Sequence, residues 1–200
     1  MNYTLHDLHK LSSEHLPRLA EIHMGDRGLL SRLGYPFVLR YFEIAHQDPR
    51  VIGVVVKNDE TGELMGYGIA SPEPESLTSQ LTNDKKWFIK EIVKLFFTRP
   101  HVFVQLVISS ITIKGQMNNE SDAIECVYFS VDPKYRGQKL GRTLQKALMD
   151  ESRKAGYKKM FASIETWNKA SLAATQSNGF TIAKTFREGV YYRYRMECKL

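Results

Sequence analysis

The residues with the clearest chemical meaning lie in the run Val-Asp-Pro-Lys-Tyr-Arg-Gly-Gln-Lys-Leu-Gly-Arg-Thr, from Val131 to Thr143. Arg136, Lys139 and Arg142 supply positive charge, and Gly137 and Gly141 allow close approach of backbone to a ligand. Before this run, Ala123–Val131 is apolar and reads as a strand; after it, Leu140, Leu144, Ala147, Leu148 and Ala155 recur at helical spacing. Strand, tight turn and helix in that order bring unpaired amide hydrogens and the positive end of a helix dipole to one point. That is a place to hold phosphate. The turn has neither the Gly-Lys-Ser/Thr ending of an ATP-binding P-loop nor the spacing of a dinucleotide fingerprint.

A second chemical candidate lies within the strand itself. Side-chain alternation puts Glu125, Val127, Phe129 and Val131 on one face and Tyr128 on the other, with Glu125 the ionisable member of its face. Burial among apolar neighbours raises the pKa of a carboxyl and suits it to general-base work. The plainer alternative is a carboxylate paired with a Lys or Arg.

The phrase Val131-x-Pro133-x-x-Arg136-Gly137-x-x-Leu140-Gly141 after a strand resembles the acetyl-coenzyme-A-binding motif of the GNAT family of N-acetyltransferases, Arg/Gln-x-x-Gly-x-Gly/Ala. Arg136, Gly137 and Gly141 match, while Lys139 occupies the middle glycine position. A second phrase, Asn168-x-x-Ser171-x-x-Ala174-Thr175-x-x-x-Gly179-Phe180, is similar to the family's Asn-x-x-Ala-x-x-Leu-Tyr-x-x-x-Gly-Phe. Thr175 stands where that signature has tyrosine, the residue many members use as an acid. Tyr191, Tyr192 and Tyr194 are other tyrosines among which sequence does not choose.

The resemblance implies an α/β (α+β) chain of GNAT fold, with a central mixed, mostly antiparallel sheet split into a V and flanked by helices. It implies acetyl-CoA as cosubstrate, the pantetheine arm along Phe129, Ser130 and Val131, and the diphosphate on Arg136, Gly137, Gln138, Lys139, Leu140, Gly141 and Arg142. Asn168 would touch the cofactor from the next helix, and Glu125 would be the base. The expected activity is transfer of acetyl to a primary amine by direct attack in a ternary complex. The alternative is an acyl-CoA-binding sensor or scaffold without turnover. The acceptor is expected to be a small-molecule or peptide amine; the segment Leu30 to Phe37 has a faint likeness to members associated with cell-surface sugars.

Composition agrees with a single domain spanning 1–200, with a helical insertion at 72–120. Hydrophobic residues make up 42% and charged residues 25%, ordinary for a globular chain. The net charge is +6, but the basic residues are scattered and form no nucleic-acid module. Two cysteines and six scattered histidines give no disulfide framework and no metal pattern. No leader is visible and no apolar run approaches ~20 residues, so a cytoplasmic chain without an integral membrane segment is expected.

The remaining elements are expected as follows. A strand runs over 2–8, a helix starts at Ser13, and a second covers 29–46 with Gly34 and Pro36 as a kink or break. A hairpin over 50–57 and 64–70 carries Gly66 and Gly68, marking a bulge or close approach. Two helices meeting near Arg99 and Pro100 form the insertion, with stripes Trp87, Phe88, Ile92, Leu95, Phe96 and Val102, Leu106, Ser109, Ser110, Ile113, the β-branched content of the second leaving a strand as the alternative. This insertion is an added core layer, a homodimer surface, an acceptor-site wall or a membrane-surface contact. The motif helix spans 137–155, a strand 159–164, a short helix starts at Asn168, and a hairpin over 180–186 and 191–197 closes the chain.

Overall fold

A computed structural model describes residues 2–112 and 120–200. Seven strands form one sheet: β1 (Tyr3–Asp7), β2 (Ile52–Asn58), β3 (Leu64–Ser71), β4 (Ala123–Val131), β5 (Lys159–Glu165), β6 (Thr181–Glu188) and β7 (Tyr191–Lys199). Their order is β1-β2-β3-β4-β5-β7-β6, and every junction is antiparallel except β4–β5. That parallel junction is short. β4 and β5 pair only from Ala123 opposite Lys159 to Cys126 opposite Ala162. Beyond those residues the strands part, which opens the sheet into the V the family resemblance implies.

Helices cover both faces. On one side lie α1 (Leu16–Met24), α2 (Leu29–Leu33) and α3 (Tyr35–Gln47). The expected long helix is divided at Gly34, whose φ of +110° is open to glycine and ends α2; Pro36 then sits in the first turn of α3, where its missing N–H costs nothing. Leu19, Ala20, Phe37, Val38 and Phe42 form this layer's core against Val55, Tyr67 and Ile69 of the sheet. On the opposite face, α7 (Leu140–Lys154) and α8 (Lys169–Gln176) pack Leu140, Leu144 and Leu148 on Val56, Met65 and Met160. Gly66 of β3 is a close-approach glycine: a Cβ there would stand 2.6 Å from the Ser130 carbonyl oxygen.

The described part of the segment between β3 and β4 is helical: α4 (Pro74–Gln80), α5 (Lys85–Thr98) and α6 (Pro100–Thr112). Leu95 and Val102 are buried, and Trp87 stands edge-on to Phe37 at 5.3 Å. Phe96, on the α5 stripe read from the sequence, is exposed, as is Ser110 on α6. Ile113 lies outside the described residues.

Two expectations about the motif region are corrected. The helix begins at Leu140, not Gly137, because Gly137 at φ +82° and Lys139 at φ +62° both leave the helical region. The alternation along β4 is also broken. Ala70 of β3 lies opposite Cys126, and the next residue, Ile69, lies opposite Tyr128, so Val127 is the extra residue of a bulge. One added residue exchanges the faces of all that follow. Tyr128 therefore shares the α1–α3 face with Glu125, ring-to-edge with His23 at 4.9 Å and Tyr41 at 5.4 Å. Phe129 and Val131 turn to the α7 side with Cys126.

Candidate active site

The parting of β4 from β5 makes a cleft of about 790 Å³. Val127 to Val131 form one wall, Ala162 to Glu165 the other, and the Gly25–Gly28 loop after α1 leans over the gap. Strand edges that have lost their neighbour keep amide and carbonyl groups that need partners. An extended amide-bearing arm would satisfy them.

At one end of the cleft stands the turn before α7. No side chain caps this helix, and no acid lies in its first turn. Its positive end is thus left for an external anion. Asp132 fixes the turn: its carboxylate accepts from the Lys134 amide at 2.8 Å and from Arg18 of α1, while its own amide donates to Met65. Arg136 Nε donates to the Val131 carbonyl at 3.1 Å, leaving the rest of its guanidinium at the cleft, 3.6 Å from Asp26. Phe129, Ser130, Val131, Arg136, Gly137, Lys139, Leu140, Gly141, Arg142 and Asn168 all line the cleft; Gln138 does not. Asn168 also caps α8 by accepting from the Ser171 amide.

At the other end is a chamber of charge on the α1–α3 face. Arg193 of β7 bridges two carboxylates, Glu165 of β5 at 2.9 Å and Glu188 of β6 at 2.7 Å. Burial holds the Glu188 carboxyl above the ordinary range, opposed by the charge of Arg193. Tyr128 lines the cleft here, and burial pushes its phenol up to about 12, so it stays protonated. Asp26 also lines the cleft, within electrostatic reach of both Arg136 and Glu165. Burial raises its carboxyl to about 6, against the charge of Arg136. His23 Nδ1 meets the Tyr67 hydroxyl, and burial lowers its pKa to about 4, so the ring is neutral near pH 7.

Glu125 is placed differently from the expectation of a free base. Its Oε1 accepts from Arg195 Nη1 at 2.5 Å and from the Ser163 hydroxyl at 3.2 Å, and it is not among the residues lining the cleft. Thr175 is likewise withdrawn. It is fully buried and accepts from Gln145 Nε2 at 3.0 Å, so it ties α8 to α7.

Asp26, Glu165 and Arg193 were not singled out by sequence reasoning. Asp26 reads as part of a helix-ending Gly-Asp-Arg-Gly loop. The usable signal was in β7: Arg193 and Arg195 alternate, so they share a face, and β5 offers Ser163 and Glu165 at the same period.

A family model described as the acetyltransferase (GNAT) family matches residues 16–180. Among curated proteins, the L-methionine sulfoximine/L-methionine sulfone acetyltransferase of Salmonella typhimurium is 44% identical over 52 residues, and the L-amino acid N-acyltransferase MnaT of Escherichia coli 46% over 52. Each match covers 26% of this chain and 30% of the relative. The PaiA N-acetyltransferase of Thermoplasma acidophilum, solved with coenzyme A, has a TM-score of 0.61 at 14% identity, with 100% of both chains covered. The ribosomal-protein-S18-alanine N-acetyltransferase of Escherichia coli has a TM-score of 0.58 at 18% identity, covering 99% of this chain and 94% of that one. The strand–turn–helix at the mouth of a split sheet and the family match over most of the chain lead to one conclusion: this protein belongs to the GNAT acetyltransferase family.

Proposed function

We propose that the chain is an N-acetyltransferase that moves acetyl from acetyl-CoA to a primary amine by direct attack in a ternary complex. The observation that carries this reading is the juxtaposition of the parted β4 edge with the uncapped start of α7. The edge offers hydrogen bonds to an extended pantetheine arm, and the turn, with Arg136, Lys139 and Arg142, offers charge and amides to a diphosphate. When bound, the cosubstrate supplies a thioester carbonyl.

The chain's own residues then have separable tasks. An ammonium has no lone pair, so the acceptor must lose a proton. Asp26, raised to about 6 and only loosely engaged by Arg136, is the base. Backbone amides near the Val127 bulge are oriented donors for an oxyanion. Tyr128, protonated and facing the cleft, donates to a departing thiolate. Glu125, paired with Arg195, positions β5 and β7 rather than touching the reacting atoms. Asp26, Glu165 and Glu188 set three carboxylates against Arg136 and Arg193, which favours a cationic acceptor.

This reading takes 1–200 as one domain, with α4–α6 as an insertion, acting in the cytoplasm where acetyl-CoA is at hand. The test is coenzyme A release with a panel of primary amines that includes L-amino acids and L-methionine sulfone, the acceptors that the two curated relatives carry in their names. Amine-dependent release supports the reading. Tight acetyl-CoA binding without release by any amine would leave a sensor or scaffold, and no binding would remove the site.

A further inference from the structure

We infer that the α5–α6 hairpin is a docking surface for an anionic lipid membrane, on which the protein rests peripherally. The inference is independent of the acetyl-transfer reading. On α5, Ile89, Val93, Phe96 and Phe97 share one helical face and stand in solvent, Phe97 with 76% of its surface exposed. On α6, Val104, Val107, Ile108 and Ile111 repeat at the same kind of spacing and are exposed too, Ile111 at 68%. Phe96 lies edge-on to Phe103 of α6 at 5.3 Å, so the two stripes adjoin. The inner faces are already used, by Leu95 and Val102 in burial and by Trp87 and Phe88 against Phe37. The outer stripes are therefore surplus to the core and stand exposed. Contiguous apolar surface of this kind marks a contact site.

Charge decides what the contact is. Lys85, Lys86, Lys90 and Lys94 are all exposed on α5. At 100° per residue they interleave with and flank the exposed apolar side chains, while Glu91 points toward the packed side. The described part of α6 carries no acidic residue. A second copy meeting this face about a two-fold axis would bring the lysines of both copies into one contact. An anionic leaflet instead meets them with opposite charge, with ammonium groups at phosphate level and Phe and Ile side chains in the acyl boundary. No described helix is long and apolar enough to cross a membrane, so the hairpin lies on the surface. It is braced on the fold near the acceptor chamber: Arg99 donates to the Arg32 carbonyl at 3.2 Å, and Ser109 lies against Gly189, next to Glu188.

The test uses the full chain with vesicles of phosphatidylcholine alone or mixed equally with phosphatidylglycerol. The protein is expected to sediment with the anionic vesicles and to be released by salt. The triple variant Lys86→Glu, Lys90→Glu, Lys94→Glu should lose vesicle partition on the order of 100-fold. Ile89→Ser with Phe97→Ser should lose it by roughly tenfold. Both should acetylate a soluble amine as wild type does. Phe97→Trp, which keeps the surface apolar, should shift its emission to the blue when anionic vesicles are added. Failure to sediment, equal binding to neutral vesicles, insensitivity to the α5 variants or an unshifted Phe97→Trp emission would overturn the proposal. So would a stable wild-type dimer broken by Phe97→Ser, which would give the face to a second copy.

Discussion

Arg195 donates to Glu125 at 2.5 Å across the intervening strand β5, where Ser163 bonds to both. The pair joins β4 to β7 at the place where the parallel junction gives out. It is buried on both sides, so removing one partner strands a charge. Glu125→Ala should cost ~3–5 kcal/mol in urea unfolding. Glu125→Gln should keep the shape of the pH–rate profile. Disappearance of an acidic limb in that variant would restore Glu125 as the base.

Asp26 should control the acidic limb instead. Its carboxyl is raised from 3.8 to about 6, so it gains competence as a base as pH rises through about 6. The expected profile climbs through that region in wild type and is flat and low in Asp26→Asn. Stability has the opposite sign. A raised carboxyl stabilises the folded state fully below its unfolded value near 4, and that contribution is lost as pH rises through about 6. Asp26→Asn should therefore unfold with less pH dependence between those values, measured by thermal melts across the range.

Lys139 holds a left-handed backbone that its side chain disfavours, at φ +62°. The family's glycine position thus keeps glycine's conformation without glycine. Lys139→Gly should raise stability by up to ~1 kcal/mol, since relief of the Cβ clash exceeds the added unfolded-state entropy only slightly. The same change removes an ammonium beside the diphosphate site, so calorimetric titration should show weaker coenzyme A binding at low salt.

Tyr128 and Thr175 should separate cleanly. Tyr128→Phe keeps the ring contacts with His23 and Tyr41 and removes the proton. It should lower kcat on the order of 10²-fold or more with the KM for acetyl-CoA nearly unchanged. Thr175→Val leaves the Gln145 amide without its partner and should cost ~1–3 kcal/mol of stability while turnover per folded molecule stays level.

Much of this was legible in the chain itself. The apolar run 123–131, the turn with Arg136 and Gly141, and the periodic leucines after it specify a strand, an anion-binding turn and a helix by local rules alone. The break at Gly34 and Pro36 and the cap at Asn168 are likewise short-range signals. The face of Tyr128 was not legible, because it depends on Val127 bulging against β3, and a bulge is a property of two strands. The exposure of Phe96 was not legible for a related reason: helical spacing shows that a stripe exists, and only the packed layer shows which side of it is buried.

The sequence by itself determined the strand, turn and helix to which we assign the diphosphate, since that unit is built from consecutive residues whose backbone geometry follows from glycine, charge and periodicity. Only the tertiary structure decided which carboxylates face the cleft. Asp26 and Glu165 come from distant segments, and Glu125 is held outside the cleft lining by an arginine 70 residues away. Proton affinity is set by burial and by neighbouring charge, and both exist only once the strands have found their partners.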